Sequence, residues 1–157
     1  LRNIKTDNEA FCTFVQFYGD LRWILVNCII NKIPIWPVRW IFYRMCGMEI
    51  GKYSRIGLRT AIVYPRSIRL GCGVIINEVC YIVGRGGLDI GDNTSISIYT
   101  KIITASHNKY SATFEYHSNK TVIGKNVWIC KGAIILDNSA IADECIISAG
   151  TVFKGVS

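Results

Sequence analysis

The chain has 157 residues, half of them hydrophobic, and carries a formal charge of +7. That length fits one domain with room for a full core, and the composition excludes a disordered chain. The charge favours anionic partners such as phosphorylated cofactors, nucleic acid or acidic lipid, but the basic residues are scattered singly, with no run of the kind that marks a nucleic-acid-binding arm, so no nucleic-acid partner is expected.

Seven cysteines stand at positions 12, 28, 46, 72, 80, 130 and 145, with no CxxC pair. An odd number of dispersed thiols suits a reducing, cytoplasmic compartment better than a secreted disulfide framework. The longest apolar stretch, Trp23 to Ile30, contains Asn27 and is followed by Asn31, Lys32, Pro34, Pro37 and Arg39. It is far short of the roughly 20 apolar residues a membrane span needs. Nothing reads as a signal peptide. The first residue is Leu1 rather than Met, so the chain is expected to be less than a complete gene product.

Residues 1–48 read as a helical segment. Phe14, Phe17, Tyr18, Leu21, Leu25 and Cys28 fall at three- and four-residue spacings and predict one apolar stripe. A second helix is expected to start at Pro37, to carry Val38, Ile41, Phe42 and Met45, and to stop at Gly47. Trp23, Trp36 and Trp40 accompany Arg22, Arg39 and Arg44. Aromatic-basic helices of this kind either pack on the rest of the protein or a neighbouring subunit, or lie in a membrane interface. The two readings can coexist.

From residue 49 to 157 the pattern changes to a period of six. Ile50, Ile56, Ile62 and Ile68 are followed, after a two-residue slip, by Leu70, Ile76 and Ile82. A second slip at "GRGG" leads to Ile90, Ile96 and Ile102. After an interruption over 108–122 come Ile123, Ile129, Ile135, Ile141, Ile147 and Phe153. Glycine follows several of these anchors, at Gly51, Gly57, Gly71, Gly91 and Gly124. Four residues after an anchor the side chain is often small, as at Ser54, Thr60, Thr94, Val127, Ala133, Ser139, Cys145 and Thr151. Neither a helix nor a hairpin has this period. A short strand plus a turn does, when three hexads close a triangular coil and the anchors stack inward at about 4.8 Å. Glycine after the anchor is expected to permit the tight corner backbone. Slips and the 108–122 loop are expected to bulge outward at corners. The fold class read here is all-β: a parallel β-helix of hexapeptide repeats preceded by short α-helices.

The stretches "IGKYSRIG" (50–57), "INEVCYIVGRGGLDIGDN" (76–93), "KIITASHNKY" (101–110) and "TVIGKNVWICKGAIILDNSAIADECIISAGTV" (121–152) resemble the left-handed parallel β-helix acyltransferases. The similarity is to the maltose, galactoside and capsular-polysaccharide O-acetyltransferases in particular. The lead-in "NKIPIWPVRWIFYRMCGMEIGK" is similar to the polysaccharide-modifying branch. The resemblance implies acetyl transfer from acetyl-CoA to a sugar hydroxyl by a homotrimer with its sites between subunits. It implies that His107 is the catalytic histidine, that Asn77 contacts the acceptor hydroxyl, and that Trp128 lies beside the pantetheine arm. There are departures. Arg85 stands in "GRGG" where the galactoside enzymes carry a substrate-binding acid, so a simple galactoside is not the expected acceptor. Cys130 replaces a usual glycine. The chain ends at "FKGVS", before a "GNPAK"-like tail, so one wall of the CoA site is expected to be missing.

The chemistry asks for a base, because a sugar hydroxyl is a very weak acid. A neutral imidazole takes its proton as the oxygen attacks the thioester and returns it to the leaving thiolate. A histidine at a corner, taken alone, is equally a solvated turn residue. His117, in the same loop, is read as surface or acceptor-facing. Asn77 has a structural alternative, since asparagine tolerates left-handed backbone. It is read as opening the second hexad of its coil, beside the corner between sides one and two, whereas His107 closes a third hexad. The two therefore sit near different edges and meet only between subunits. Trp128 is read as a cofactor contact or as packing between coils or subunits. Lys131 and Lys154 suit CoA phosphates or a solvated face, and Ala149, Gly150 and Thr151 lie where CoA would run along a coil edge. The function this supports is an acetyl-CoA-dependent O-acetyltransferase acting on a cell-surface or capsular polysaccharide or its lipid-linked precursor. N-acyl transfer to an amino sugar and a non-catalytic trimeric scaffold are the alternatives. No metal is expected, since two histidines do not supply the three of a γ-type carbonic anhydrase.

Overall fold

The computed structural model describes residues 13, 17, 19–21, 23–108 and 110–156. Fifteen of its strands form three parallel five-stranded sheets, which are the sides of a five-coil β-helix. Coil one contains β1 (Glu49–Ile50), β2 (Arg55–Ile56) and β3 (Ala61–Val63), one on each side. Coil two contains β4 (Ile68–Leu70), β5 (Ile75–Ile76) and β6 (Tyr81–Val83). Coil three contains β7 (Leu88–Ile90), β8 (Ser95–Ile96) and β9 (Lys101–Ile103). The chain then leaves the coil and folds β10 (Ala105–His107) and β11 (Tyr116–Ser118) into an antiparallel hairpin. Coil four resumes with β12 (Thr121–Ile123), β13 (Trp128–Ile129) and β14 (Ile134–Ile135). Coil five closes the stack with β15 (Ala140–Ile141), β16 (Ile146–Ile147) and β17 (Val152–Phe153).

The aliphatic anchors set the register. On side one Ile50, Leu70, Ile90, Ile123 and Ile141 pair in succession. Side two aligns Ile56, Ile76, Ile96, Ile129 and Ile147, and side three aligns Ile62, Ile82, Ile102, Ile135 and Phe153. All but Phe153 are buried, so one column of branched side chains per side fills the prism. A slip of one residue in any strand would turn its anchor outward.

The corners correct the expectation for glycine. Gly51, Gly57, Gly71, Gly91 and Gly124 do not adopt positive φ. They are small because the next coil passes too close. A Cβ on Gly91 would stand 2.6 Å from the carbonyl carbon of Gly124. The left-handed residue comes three positions after the anchor, as at Tyr53, Arg59, Val79, Asn93, Tyr99, Asn126, Asn138 and Glu144. Asparagine tolerates this conformation, but each of the others costs roughly 1–2 kcal/mol, a strain the stacked coils outweigh. The inward position one residue later often carries a hydroxyl that ties two coils together. Ser54 Oγ donates to Gly71 O at 2.6 Å and accepts from Val74 N at 2.9 Å. Thr60 does the same with Asn77 O and Cys80 N, and Thr94 with Gly124 O and Val127 N. At Cys80 the same position holds a thiol, which burial pushes up to about 11.

The N-terminal segment caps the open end of coil one. Helical residues 19–21 and 23–24 pass into a π-helical turn, Leu25–Ile29, and a 3-10 turn, Ile30–Lys32. Helix α1 (Trp36–Met45) follows, with Pro37 in its first turn. It ends as expected at Gly47, whose φ is 88°. Gly47 N donates to Arg44 O and Met48 N to Tyr43 O, which satisfies the last carbonyls of the helix. The buried face is not the predicted one. Phe17, Leu21, Leu25 and Cys28 are exposed, and so are Ile41 and Met45 of α1. Phe14 and Tyr18 of the same predicted stripe, together with Cys12 and Arg22, lie outside the described residues. Val26, Asn27, Ile30, Asn31, Arg39 and Tyr43 face inward instead. The reason is the unpaired backbone of the first coil. Asn27 accepts from Ile62 N at 2.7 Å and donates to Ile62 O at 3.0 Å, standing in for a neighbouring strand. Arg39 Nη1 donates to Ile56 O at 2.6 Å and to Gly57 O at 3.1 Å. Polar side chains are needed there, and hydrophobic periodicity does not detect them. No helix among the described residues is long and apolar enough to cross a membrane.

The two kinds of glycine predict different losses. Gly91→Ala should cost about 3 kcal/mol, because backbone must move to admit the methyl group. Gly132→Ala has open space but a φ of 70° and should cost only about 1 kcal/mol. Thermal unfolding of the two variants checks this, and equal losses would contradict the close-approach explanation.

Candidate active site

His107 ends β10 and is exposed. Its partner across the hairpin is Tyr116, and Ser106 faces His117 in the same way. The imidazole is held on three sides. Its Nδ1 lies 2.9 Å from the carbonyl oxygen of Phe114. The Phe114 ring stacks on it with centroids 4.9 Å apart and planes 8° from parallel, and the Tyr116 ring meets it edge-on at 5.5 Å. A carbonyl oxygen only accepts, so Nδ1 is the nitrogen that carries the proton. In the neutral ring Nε2 is then a bare acceptor. The tip of the hairpin is shaped by Asn108, whose Oδ1 accepts from Tyr110 N at 3.0 Å, and by Phe114, which has a φ of 51°.

The hairpin is fastened at its base. Asn119 N donates to Thr104 O at 3.1 Å, and Gly86 N donates to Thr104 Oγ1 at 2.9 Å. Gly86 has to be glycine because a Cβ there would collide with the backbone oxygens of Thr104 and Asn119. The "GRGG" slip of coil two is thus the seat of the hairpin. Arg85 projects from the same turn and lies over the Tyr64 ring at 5.0 Å. On the other side of the hairpin is Asp137, whose side chain is 3% exposed. Its Oδ2 is 3.1 Å from His117 Nε2 and 3.2 Å from Asn119 Nδ2, and its Oδ1 is 3.1 Å from Lys154 Nζ. Burial alone would raise the Asp137 carboxyl. The Asn119 amide, the Lys154 ammonium and His117 outweigh it and hold the group below the ordinary aspartate range.

The sequence-derived residues divide between two edges of the prism. Asn77 follows β5, so it stands at the corner between sides two and three, not between sides one and two. The anchors close the strands rather than open them, which moves the assignment by one corner. Asn77 is not left-handed either, since Val79 takes that conformation. Its backbone N–H and its Nδ2 both donate to Ile96 O at 2.9 Å, leaving Oδ1 as an acceptor for a ligand. Lys131, Ala149 and Gly150 occupy the same corner in coils four and five, with Thr151 one step inward. Lys131 Nζ lies 5.7 Å from the centre of the Tyr99 ring. Trp128, on the adjoining side two, is 51% exposed and donates from Nε1 to Ser97 Oγ at 3.1 Å. His107, Arg85, His117 and Lys154 gather at the other edge, between sides three and one. Lys154 pairs there with Asp137, away from the other cofactor candidates. Within one chain Asn77 and His107 do not meet. A side of about five extended residues, roughly 16 Å, separates their corners.

Sequence reasoning passed over Phe114, Tyr116, Asn119 and Asp137. The aromatic cluster "FEYH" beside a histidine was a signal for the first two. Asp137 gave none, because a carboxylate two residues after an anchor also occurs at Asp92 and Asp143.

Residues 120–155 match the family described as bacterial transferase hexapeptide (six repeats). Nodulation protein L of Rhizobium leguminosarum bv. viciae is 33% identical over 103 residues, which is 59% of this chain and 54% of that protein. The chain thus spans about half the length of that curated relative. A maltose O-acetyltransferase of Clostridium difficile 630 superposes with a TM-score of 0.77 at 26% identity, covering 89% of this chain and 76% of that one. A hexapeptide-repeat acetyltransferase of Vibrio cholerae, solved in complex with acetyl coenzyme A, gives a TM-score of 0.81 at 21% identity, covering 88% and 78%.

Proposed function

We propose that this hexapeptide-repeat chain, similar throughout its coils to the acetyltransferases, is an acetyl-CoA-dependent O-acetyltransferase with His107 as its general base. The acceptor is a sugar hydroxyl of a cell-surface or capsular polysaccharide, or of its lipid-linked precursor. The observation that carries this reading is the bond between His107 Nδ1 and the Phe114 carbonyl. It fixes the tautomer that leaves Nε2 free to take a proton, on an exposed hairpin. The acceptor O–H gives its proton to Nε2 as the oxygen adds to the thioester carbonyl. The tetrahedral intermediate then expels the CoA thiolate, which takes the proton back from Nε2. The described residues of the 1–48 segment serve as a cap, and the coils of the 49–157 segment form the catalytic β-helix.

The two-edge arrangement supports a homotrimer with the site between chains. The His107 edge of one subunit would face the edge of the next that carries Asn77, Trp128, Lys131 and the Ala149–Thr151 corner. Asn77 Oδ1 would accept from the acceptor hydroxyl, and the exposed Trp128 ring would flank the pantetheine arm. Arg85 and His117, on the His107 edge, would face the acceptor. The proposed location is cytoplasmic, with peripheral contact at the inner leaflet. The outer face of the N-terminal segment, with Trp23, Ile24, Ile29, Ile35, Trp40 and Ile41 exposed, supports that contact.

His107→Ala should lower CoA release in the presence of acceptor by about two to four orders of magnitude with the fold intact. A near-parental rate would refute the base. Liposome flotation tests the membrane contact: binding to anionic vesicles that weakens with salt is expected, and failure to float would assign the apolar face to a neighbouring subunit.

A further inference from the structure

Asp137 does something its counterparts do not. Asp92 and Asp143 stand at the same offset from their anchors, and each accepts a backbone N–H of the preceding coil, from Cys72 at 2.9 Å and Lys125 at 2.8 Å. That is the coil-stitching use of the position. Among the described residues Asp137 accepts no backbone N–H. It takes His117 and Asn119 of the hairpin and Lys154 of coil five, and it is more deeply buried than Asp92. A buried carboxylate held by three donor side chains is costly to place unless all three are kept.

The element it grips needs gripping. A two-stranded hairpin is marginal on its own, and among the described residues β10–β11 pairs with no third strand. Its attachments are Thr104 on the coil-two side and Asp137 on the coil-four side. His117 is opposite Ser106, the residue before His107, and the Phe114 carbonyl that sets the imidazole belongs to the same returning strand and turn. Freeing β11 therefore frees both the ring partners of His107 and its carbonyl acceptor. We infer that Asp137 is a positioning residue: by anchoring His117 and Asn119 it fixes where His107 stands and which of its nitrogens is bare. This rests on His107 being the base. It also changes the part assigned to His117, from acceptor contact to anchor.

The test is imidazole ¹⁵N NMR on the whole chain, whose two histidines make assignment direct, together with amide hydrogen exchange and kinetics with acetyl-CoA. In the parent protein His107 should be protonated at Nδ1 and bare at Nε2. Asp137→Ala should turn that into a mixture of tautomers and speed exchange at the Asn108 and Asn119 amides by about tenfold or more, leaving the strand amides of side two protected. In the same variant kcat should fall about 10- to 100-fold, with the KM for acetyl-CoA little changed. Asp137→Asn keeps one acceptor oxygen and should fall between. An unchanged tautomer and unchanged exchange would overturn the anchor. A loosened hairpin with parental kcat would overturn the positioning role. If Asp137→Ala also loses side-two protection, the His117→Ala/Asn119→Ala variant, which leaves coil four whole, takes its place, and the same two results would overturn the anchor and the positioning role. If His107→Ala keeps full turnover, the base assignment falls and the positioning role with it, while the exchange data still report on the anchor.

Discussion

Each coil of this protein satisfies its backbone only through the coils above and below it. Among the described residues, fifteen short strands, none longer than three residues, hold together because the backbone N–H and C=O groups of each side point along the stack. That single demand sets most of what surrounds it. It requires one inward aliphatic residue per side, in strict register, and corners tight enough to bring the next strand back into line. It leaves no room for a Cβ where Gly91 passes under Gly124. It also leaves the first coil open, so that a polar cap of Asn27, Asn31 and Arg39 is needed on a face that would otherwise be apolar.

The same demand dictates where variation is tolerated. Flat sides cannot admit extra residues without breaking the ladder, but corners can, and the largest insertion leaves at the corner between sides three and one. Once outside the stack the hairpin has lost the coil's support. It regains some through Thr104 beneath it and Asp137 above, and it carries His107 with its Nδ1 bound to a backbone carbonyl. The corner between sides two and three stays regular in every coil and carries Asn77, Lys131 and Gly150 at different positions along the same edge. The proposed base on one edge and the proposed ligand-binding groups on another would be of little use to a lone prism. In the proposed three-fold packing, such prisms would bring the unlike edges together three times over by one repeated heterologous contact.

The anchor columns were legible in the sequence because burial on each side depends on one residue in six, and a period survives slips of two. The hairpin was legible only as an interruption. The N-terminal face was misread because apolar spacing reports where hydrophobic area is, whereas the cap is chosen for hydrogen bonds to Ile62 and Ile56. The glycines after the anchors were located correctly and explained wrongly: contact between coils, which no local pattern encodes, selects them, while Tyr53 and Val79 bear the left-handed strain. Asp137 was invisible for a related reason. Its partners lie 17 to 20 residues away along the chain and meet it only once the coils are stacked.

Mixing two inactive variants shows whether a base on one chain acts with an asparagine on the next. His107→Ala and Asn77→Ala chains would be co-expressed with different tags, and mixed assemblies purified and assayed for acetyl-CoA turnover. Activity well above that of either variant alone is expected, because some interfaces in a mixed trimer receive both intact residues. Proven mixed assemblies no more active than the separate variants would contradict it.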